Sequence, residues 1–245
     1  MDFTRSSVTL IDWMGDDMRA CHAARVSFLK DSYPPAAVAD PPAAVADPPA
    51  AVAELAERDK RLLAFLMREQ HTSPFEHSTI TFRICAPLPV CAQIMRHRTF
   101  SYNQSSRRYT SDKIEFFNVE EWRKQSAKNL QCSDGALESI ASAGDMTEMY
   151  QDHCARSYQL YQIALEMGVS REQARFILPQ GLMAEFWMTG NLMNFFKFLR
   201  LRDSDHAQLE CREVASAIKE ELQKIFPESC KLFFSASASA EEKEG

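Results

Sequence analysis

"STITFRI", Ser78–Ile84, alternates without a break: Ile80, Phe82 and Ile84 fall on one side, Thr79, Thr81 and Arg83 on the other. A two-residue period marks a strand buried on one face. The following "PVCAQIMRHR" reads as a short helix. Upstream, "VTLI" reads as a strand and "DDMRACHAARVSF" as a helix, and "AELAERDKRLLAFLMREQ" sets Leu55, Leu62, Leu63 and Leu66 on one face of an amphipathic helix. Downstream, Thr99 to Thr110 holds too many turn formers to be regular, and "KIEFF" reads as a strand. The spacing of Tyr150, Cys154, Tyr158, Tyr161 and Leu165 predicts a long helix from Met146 to Met167, ended by Gly168. "SREQARFIL" is a short helix with Ser170 as N-cap, "EFWMT" a strand and "LMNFFKFLRLR" a helix. A last helix from His206 to Phe226 buries Cys211, Val214, Ile218, Leu222 and Ile225, and "SASASAEEKEG" reads as a mobile polar tail. Strands scattered among helices, without βαβ alternation or a GxGxxG turn, predict an α+β fold rather than a doubly wound one.

The 245 residues suffice for one large domain, read as residues 1–234 with a tail over 235–245. Three copies, "PPAAVAD PPAAVAD PPAAVAE", fill Pro34 to Glu54; their paired prolines exclude a continuous helix, so this segment reads as a surface insertion in polyproline II form or disorder. No apolar run is long enough to span a bilayer and no secretion signal is visible, so a cytoplasmic location is expected. Seven cysteines without a CxxC pair argue against a disulfide framework and a zinc site. A net charge of −6 argues against general nucleic-acid binding.

Within this acidic chain, "RHRTFSYNQSSRRYT", Arg96–Thr110, gathers four arginines and a histidine beside serines, an asparagine and a glutamine, with no acidic side chain. Arginine forks beside hydroxyls and loop amides suit a phosphate. Singly, Arg96 or Arg98 could simply complement the end of its helix; the whole stretch asks for more. His97, flanked by two cations, is harder to protonate than a free histidine and suits a neutral hydrogen-bonding role, although an inert packed ring competes. Cys91 reads as buried filler. "HTSPFEH" offers His71, Ser73, Glu76 and His77, but without HExxH it does not read as a metal site. In "LRDSDHAQLE", Asp205 is most simply an N-cap, and Arg202 could be in an ordinary salt bridge with its acidic neighbours.

The stretch matches RHRxxSxNxxSxRY, and on that motif the chain resembles the flavin-dependent thymidylate synthases. "AARVSF", "HTSPFEH", "REQARFILP" and "LRDSDHAQ" follow in the family's order, so that the likeness spans nearly everything but the repeat and the tail. The resemblance implies a single domain with a mixed or antiparallel sheet wrapped by helices. It implies FAD, reduced by NADPH, and formation of dTMP from dUMP and 5,10-methylenetetrahydrofolate. Arg96, His97 and Arg98 would hold the flavin, with Ser73, Gln104, Asn191, Lys197 and His206 as further contacts. Gln93, Arg96, Gln104, Ser105, Ser106, Arg107, Arg108 and Arg175 would hold dUMP together with Arg202. Arg202 would also be the catalytic residue, stabilising negative charge on the pyrimidine ring, and no cysteine nucleophile or metal is implied. The family's sites lie between subunits of a homotetramer. Gln104, Met193 and Lys197 depart from frequent glutamate, arginine and asparagine, which bears on flavin affinity. Two other readings stay open: a phosphate-binding regulatory or RNA-binding module without catalysis, and a flavoprotein oxidase with another acceptor.

Overall fold

The computed structural model describes residues 2–27, 55–127, 130, 133–137 and 141–241. The repeat at 34–54 lies outside these residues, as does Cys132. In chain order come β1 (Asp2–Thr4), β2 (Ser7–Met14), α1 (Asp17–Val26), α2 (Glu57–Arg68), a 3-10 turn (Ser73–His77), β3 (Thr79–Pro87), α3 (Leu88–Ile94) and β4 (Ser101–Gln104). There follow β5 (Glu115–Phe117), β6 (Arg123–Gln125), β7 (Ser133–Ala136), α4 (Ala141–Glu166), α5 (Arg171–Ala174) and a second 3-10 turn (Arg175–Ile177). The chain then runs through β8 (Met183–Asn191), α6 (Leu192–Arg202), α7 (Leu209–Ile225) and α8 (Pro227–Glu241).

A four-stranded antiparallel sheet, in the order β2-β3-β8-β4, is the frame; β1 pairs with β5 in parallel and β6 with β7 antiparallel. This is the expected α+β architecture. The alternation in β3 does what its period requires: Ile80, Phe82 and Ile84 are fully buried, while on the other face Thr81 Oγ1 lies 3.0 Å from Thr189 Oγ1 of β8. Against the buried face packs α6, whose Leu192, Met193, Phe195, Phe196, Phe198 and Leu199 are all buried, with α7 contributing Cys211, Val214, Ile218, Leu222 and Ile225 as expected. Phe195 joins the layers, its ring 5.3 Å from Phe82 and 4.8 Å from Phe100.

Several expectations need correction. Ser101–Gln104 is not irregular: it pairs with β8 from Ser101↔Thr189 to Gln104↔Phe186. "SYNQ" has no apolar alternation to announce a strand, but the edge of β8 carries unpaired N–H and C=O groups that a neighbour must satisfy. Gly190 allows this close approach, since a Cβ there would meet Phe100 Cδ1 at 2.4 Å. The helix after Pro87 stops at Ile94, so Arg96 and Arg98 lie beyond it. Asp205 is no N-cap: α7 starts at Leu209 with Gln208 before it, and the Asp205 carboxylate pairs with Arg212 at 2.8 Å. Ser170 does occupy the N-cap of α5, but its side chain makes no capping bond. The segment read as a tail begins inside α8, which runs to Glu241. Buried Asp17 fixes the start of that helix, its carboxylate accepting from the backbone N–H of Glu228 at 2.8 Å and of Ser229 at 3.0 Å. Gly168, with φ +87, ends the long helix as expected. No helix among the described residues is long and apolar enough to cross a membrane.

Candidate active site

Two clefts receive most of the sequence-predicted residues. The first, of about 440 Å³, is lined by Gln93, Arg123, Gln125, Leu130, Ser133, Arg202, His206, Ala207 and Gln208. Gln93 comes from the last turn of α3, Arg202 from the end of α6, and His206 and Gln208 from the turn before α7. Arg202 is held on two sides: Nε donates to His97 Nε2 at 3.0 Å and Nη2 to the Gln93 carbonyl at 3.4 Å. Nη1 has no partner among the described residues. The expected salt bridge of Arg202 with its acidic neighbours does not form, because Asp203 accepts from Ser216 at 2.7 Å and Lys219 at 2.8 Å.

The surroundings of His97 favour its neutral form. Burial lowers its pKa from the ordinary value, and the Arg202 guanidinium lowers it further. The sequence argument had the direction, but the cation responsible is Arg202, not Arg96 or Arg98. Accepting at Nε2 from a permanent cation leaves the proton on Nδ1, which fixes the tautomer. The ring stands edge-on to Phe198 at 5.0 Å. The single O–H of Tyr102 is shared between the carbonyls of Ile94 and His97, each 3.0 Å from Oη, and Asn194 Nδ2 donates to the Thr99 carbonyl at 3.0 Å. These bonds pin the signature segment between β4 and α6.

The second cleft, of about 330 Å³, is lined by Leu88, Gln104, Ser105, Ser106, Arg107, Arg175, Leu182, Met183 and Ala184. Its polar wall is part of the predicted nucleotide set, Gln104, Ser105, Ser106, Arg107 and Arg175, brought together from β4, the loop after it and the turn after α5, while Gln93 and Arg202 of that set line the first cleft. Ser105 is tied to β8 at both ends: its N–H donates to the Glu185 carbonyl at 2.8 Å and its Oγ accepts from the Glu185 N–H at 3.3 Å. Arg107 also has a structural task, donating to the carbonyls of Asp112 and, at 2.8 Å, Lys113. Arg108 does not line the cleft; it lies 3.8 Å from Glu172. The two clefts share no lining residue.

The predicted flavin contacts are less gathered. Arg96 and Arg98 are exposed just past α3 and make no ion pair among the described residues. Ser73 and Asn191 sit near where β3 begins and β8 ends: the first 3-10 turn packs on α6 and β8, and Thr79 pairs with Asn191, while Lys197 is exposed in the middle of α6. Asn191 is the N-cap of α6, its Oδ1 accepting from the Asn194 N–H at 2.9 Å. His206 and Gln104 lie apart from that group, one in each cleft. Met193 is buried at 4% exposure.

The thiols fit the filler reading. Burial pushes the Cys91 pKa up to about 12, and its Sγ donates to the Ala86 carbonyl at 3.2 Å. Among the described residues no three His, Cys, Asp or Glu side chains converge as a metal site. What sequence reasoning missed is the support behind Gln93. Arg123 Nη2 pairs with Glu210 at 2.6 Å, Gln208 Nε2 donates to the other Glu210 oxygen at 2.8 Å, and Gln93 Nε2 donates to Gln208 Oε1. Nothing local in "EEWRKQ" announces that pairing.

An antiparallel α+β core with two cationic, hydroxyl-bearing clefts defines a class of protein whose site chemistry suits phosphorylated ligands. The chain belongs to the thymidylate synthase complementing protein family, whose pattern matches residues 9–228. It is 37% identical over 220 residues to a flavin-dependent thymidylate synthase of Thermus thermophilus, covering 90% of this chain and 72% of the relative. A flavin-dependent thymidylate synthase of Thermosipho africanus is 36% identical over 231 residues, covering 93% of this chain and 88% of the relative. Among solved structures it resembles the UMP/dUMP methylase PolB of Streptomyces cacaoi bound with 5-Br dUMP, with a TM-score of 0.77, 26% identity and coverage of 96% and 97%.

Proposed function

We propose that this protein is a flavin-dependent thymidylate synthase that methylates dUMP to dTMP, with 5,10-methylenetetrahydrofolate as carbon donor and NADPH as reductant of FAD. The observation that carries this reading is Arg202, immobilised by His97 and Gln93 at the wall of a cleft with one guanidinium nitrogen unspent. The relatives' names and the bromo-dUMP held by the structural neighbour support the substrate.

The residues present fit a flavin dinucleotide in chemistry: the exposed Arg96 and Arg98 suit a diphosphate, and the neutral His97 adds a hydrogen-bonding group. When bound, the flavin supplies the hydride. This chain's residues do the rest. Arg202 directs its free N–H at the pyrimidine, where negative charge on the ring is stabilised without waiting for solvent to reorganise. Ser105, Ser106, Arg107 and Arg175 suit the nucleotide phosphate.

These two residue sets belong to separate clefts of one chain, and one mononucleotide needs both. A second copy completes the site in this reading, in keeping with a homotetramer. Consistent with such contacts, the outer side of α4 and its sequel expose Met149, Leu160, Ile163, Met167 and Phe176.

The test is a flavin spectrum followed by turnover. The purified protein is expected to show flavin absorbance, to oxidise NADPH faster when dUMP is present, and to form dTMP only with methylenetetrahydrofolate. A colourless, inert protein at saturating FAD that retains single-stranded RNA would favour the regulatory module, and NADPH turnover without dTMP the oxidase.

A further inference from the structure

The chain of bonds behind Gln93 has a direction. Glu210 and Arg123 are both largely buried, with side-chain exposures of 15% and 18%. Burial alone would raise the Glu210 pKa, but hydrogen bonds from Arg123 and Gln208 offset this and hold the carboxyl below its ordinary range. An ionised carboxylate only accepts. Gln208 must therefore turn its NH2 toward Glu210 and its carbonyl oxygen toward Gln93, and Gln93 must answer with its own NH2. That leaves Gln93 Oε1 without a partner among the described residues, at a cleft whose other wall carries the free nitrogen of Arg202.

We propose that the Arg123–Glu210 pair acts as a positioning device: it sets the polarity of the Gln208–Gln93 amides so that the first cleft presents an acceptor beside the Arg202 donor. The ligand edge this arrangement matches is an imide, an N–H flanked by carbonyl oxygens, as in a uracil ring. In the register that sets the uracil N3–H on Gln93 Oε1, cytosine carries a bare ring nitrogen and would place acceptor against acceptor. The inference rests on the dUMP reading above and adds to it the residues that select the base. Glu210 and Arg123 themselves need not touch the ligand.

Glu210→Gln keeps the shape but removes the obligation, since an amide at 210 can donate to Gln208 Oε1 and let both glutamines turn over. Titration calorimetry of the FAD-loaded protein with dUMP, dCMP and N3-methyl-dUMP reads the effect. The wild-type protein is expected to bind dUMP about tenfold or more tightly than either analogue. In Glu210→Gln that preference shrinks by about tenfold, and the loss falls on KM for dUMP more than on kcat. A melting curve establishes that the variant is folded. The wild-type comparison with N3-methyl-dUMP is decisive even if the variant is not, because undiminished binding of that analogue overturns the proposal. A folded Glu210→Gln that discriminates as the wild type does overturns it too, while dUMP binding stands. Failure of the wild-type protein to bind dUMP at all would instead remove the underlying reading.

Discussion

Arg202→Ala is expected to lower dTMP formation by about a hundredfold or more while flavin absorbance persists. The reason is geometric. The guanidinium is oriented by two bonds made before any ligand arrives, so the N–H groups of its remaining nitrogen need no reorganisation when charge develops on the ring. The same variant has a second, independent readout. Removing the cation from His97 Nε2 takes away one of the two causes of its lowered pKa, so its imidazole should titrate at higher pH in Arg202→Ala than in the wild type, as followed by NMR. The sign for stability follows: a histidine held neutral when folded contributes stability above its unfolded pKa of about 6.5, and loses it as pH falls through the lowered folded value. Arg202→Ala narrows that window. Unchanged dTMP synthesis in the variant would remove Arg202 from the chemistry, and an unchanged His97 titration would remove their coupling.

Phe195→Ala is expected to destabilise the fold by about 3–5 kcal/mol, measured by denaturant unfolding. Phe195 is fully buried and its ring meets Phe82 of β3 and Phe100 of the signature segment. Truncation leaves a cavity where sheet, α6 and signature converge, and Gly190 behind Phe100 has no side chain to fill it. Activity should fall with stability, because Phe100 leads directly into β4, which carries Gln104. A loss below about 1 kcal/mol would show that this layer relaxes and does not hold the site.

How much of this was legible beforehand depended on whether the information was local. The period of Thr79–Ile84, the apolar face of α7 and the glycine that ends α4 are contained in single segments, and the structure agrees with each. β4 and β1 are not local. "SYNQ" is a strand only because the edge of β8 is there to pair with, and Asp2–Thr4 only because Glu115–Phe117 lies beside it. The start of α8 depends on Asp17, 211 residues away. At the site, the motif named a set of residues together, yet it could not show that they divide between two clefts. Nor could it show that Arg202 lies on His97 rather than on Asp203 or Asp205, since that bond spans 105 residues. The Arg123–Glu210 pair is invisible for the same reason.

In the proposed assembly the Arg202 cleft of one copy and the Ser105–Arg107 cleft of another make one site. Co-expression of Arg202→Ala with Arg175→Ala tests it most directly, since each variant damages a different cleft. In mixed assemblies one site in two carries both lesions and the other carries neither, so activity should return to about a quarter of the wild-type value for random pairing. Mixed oligomers that form normally and stay as inactive as either parent would contradict the account.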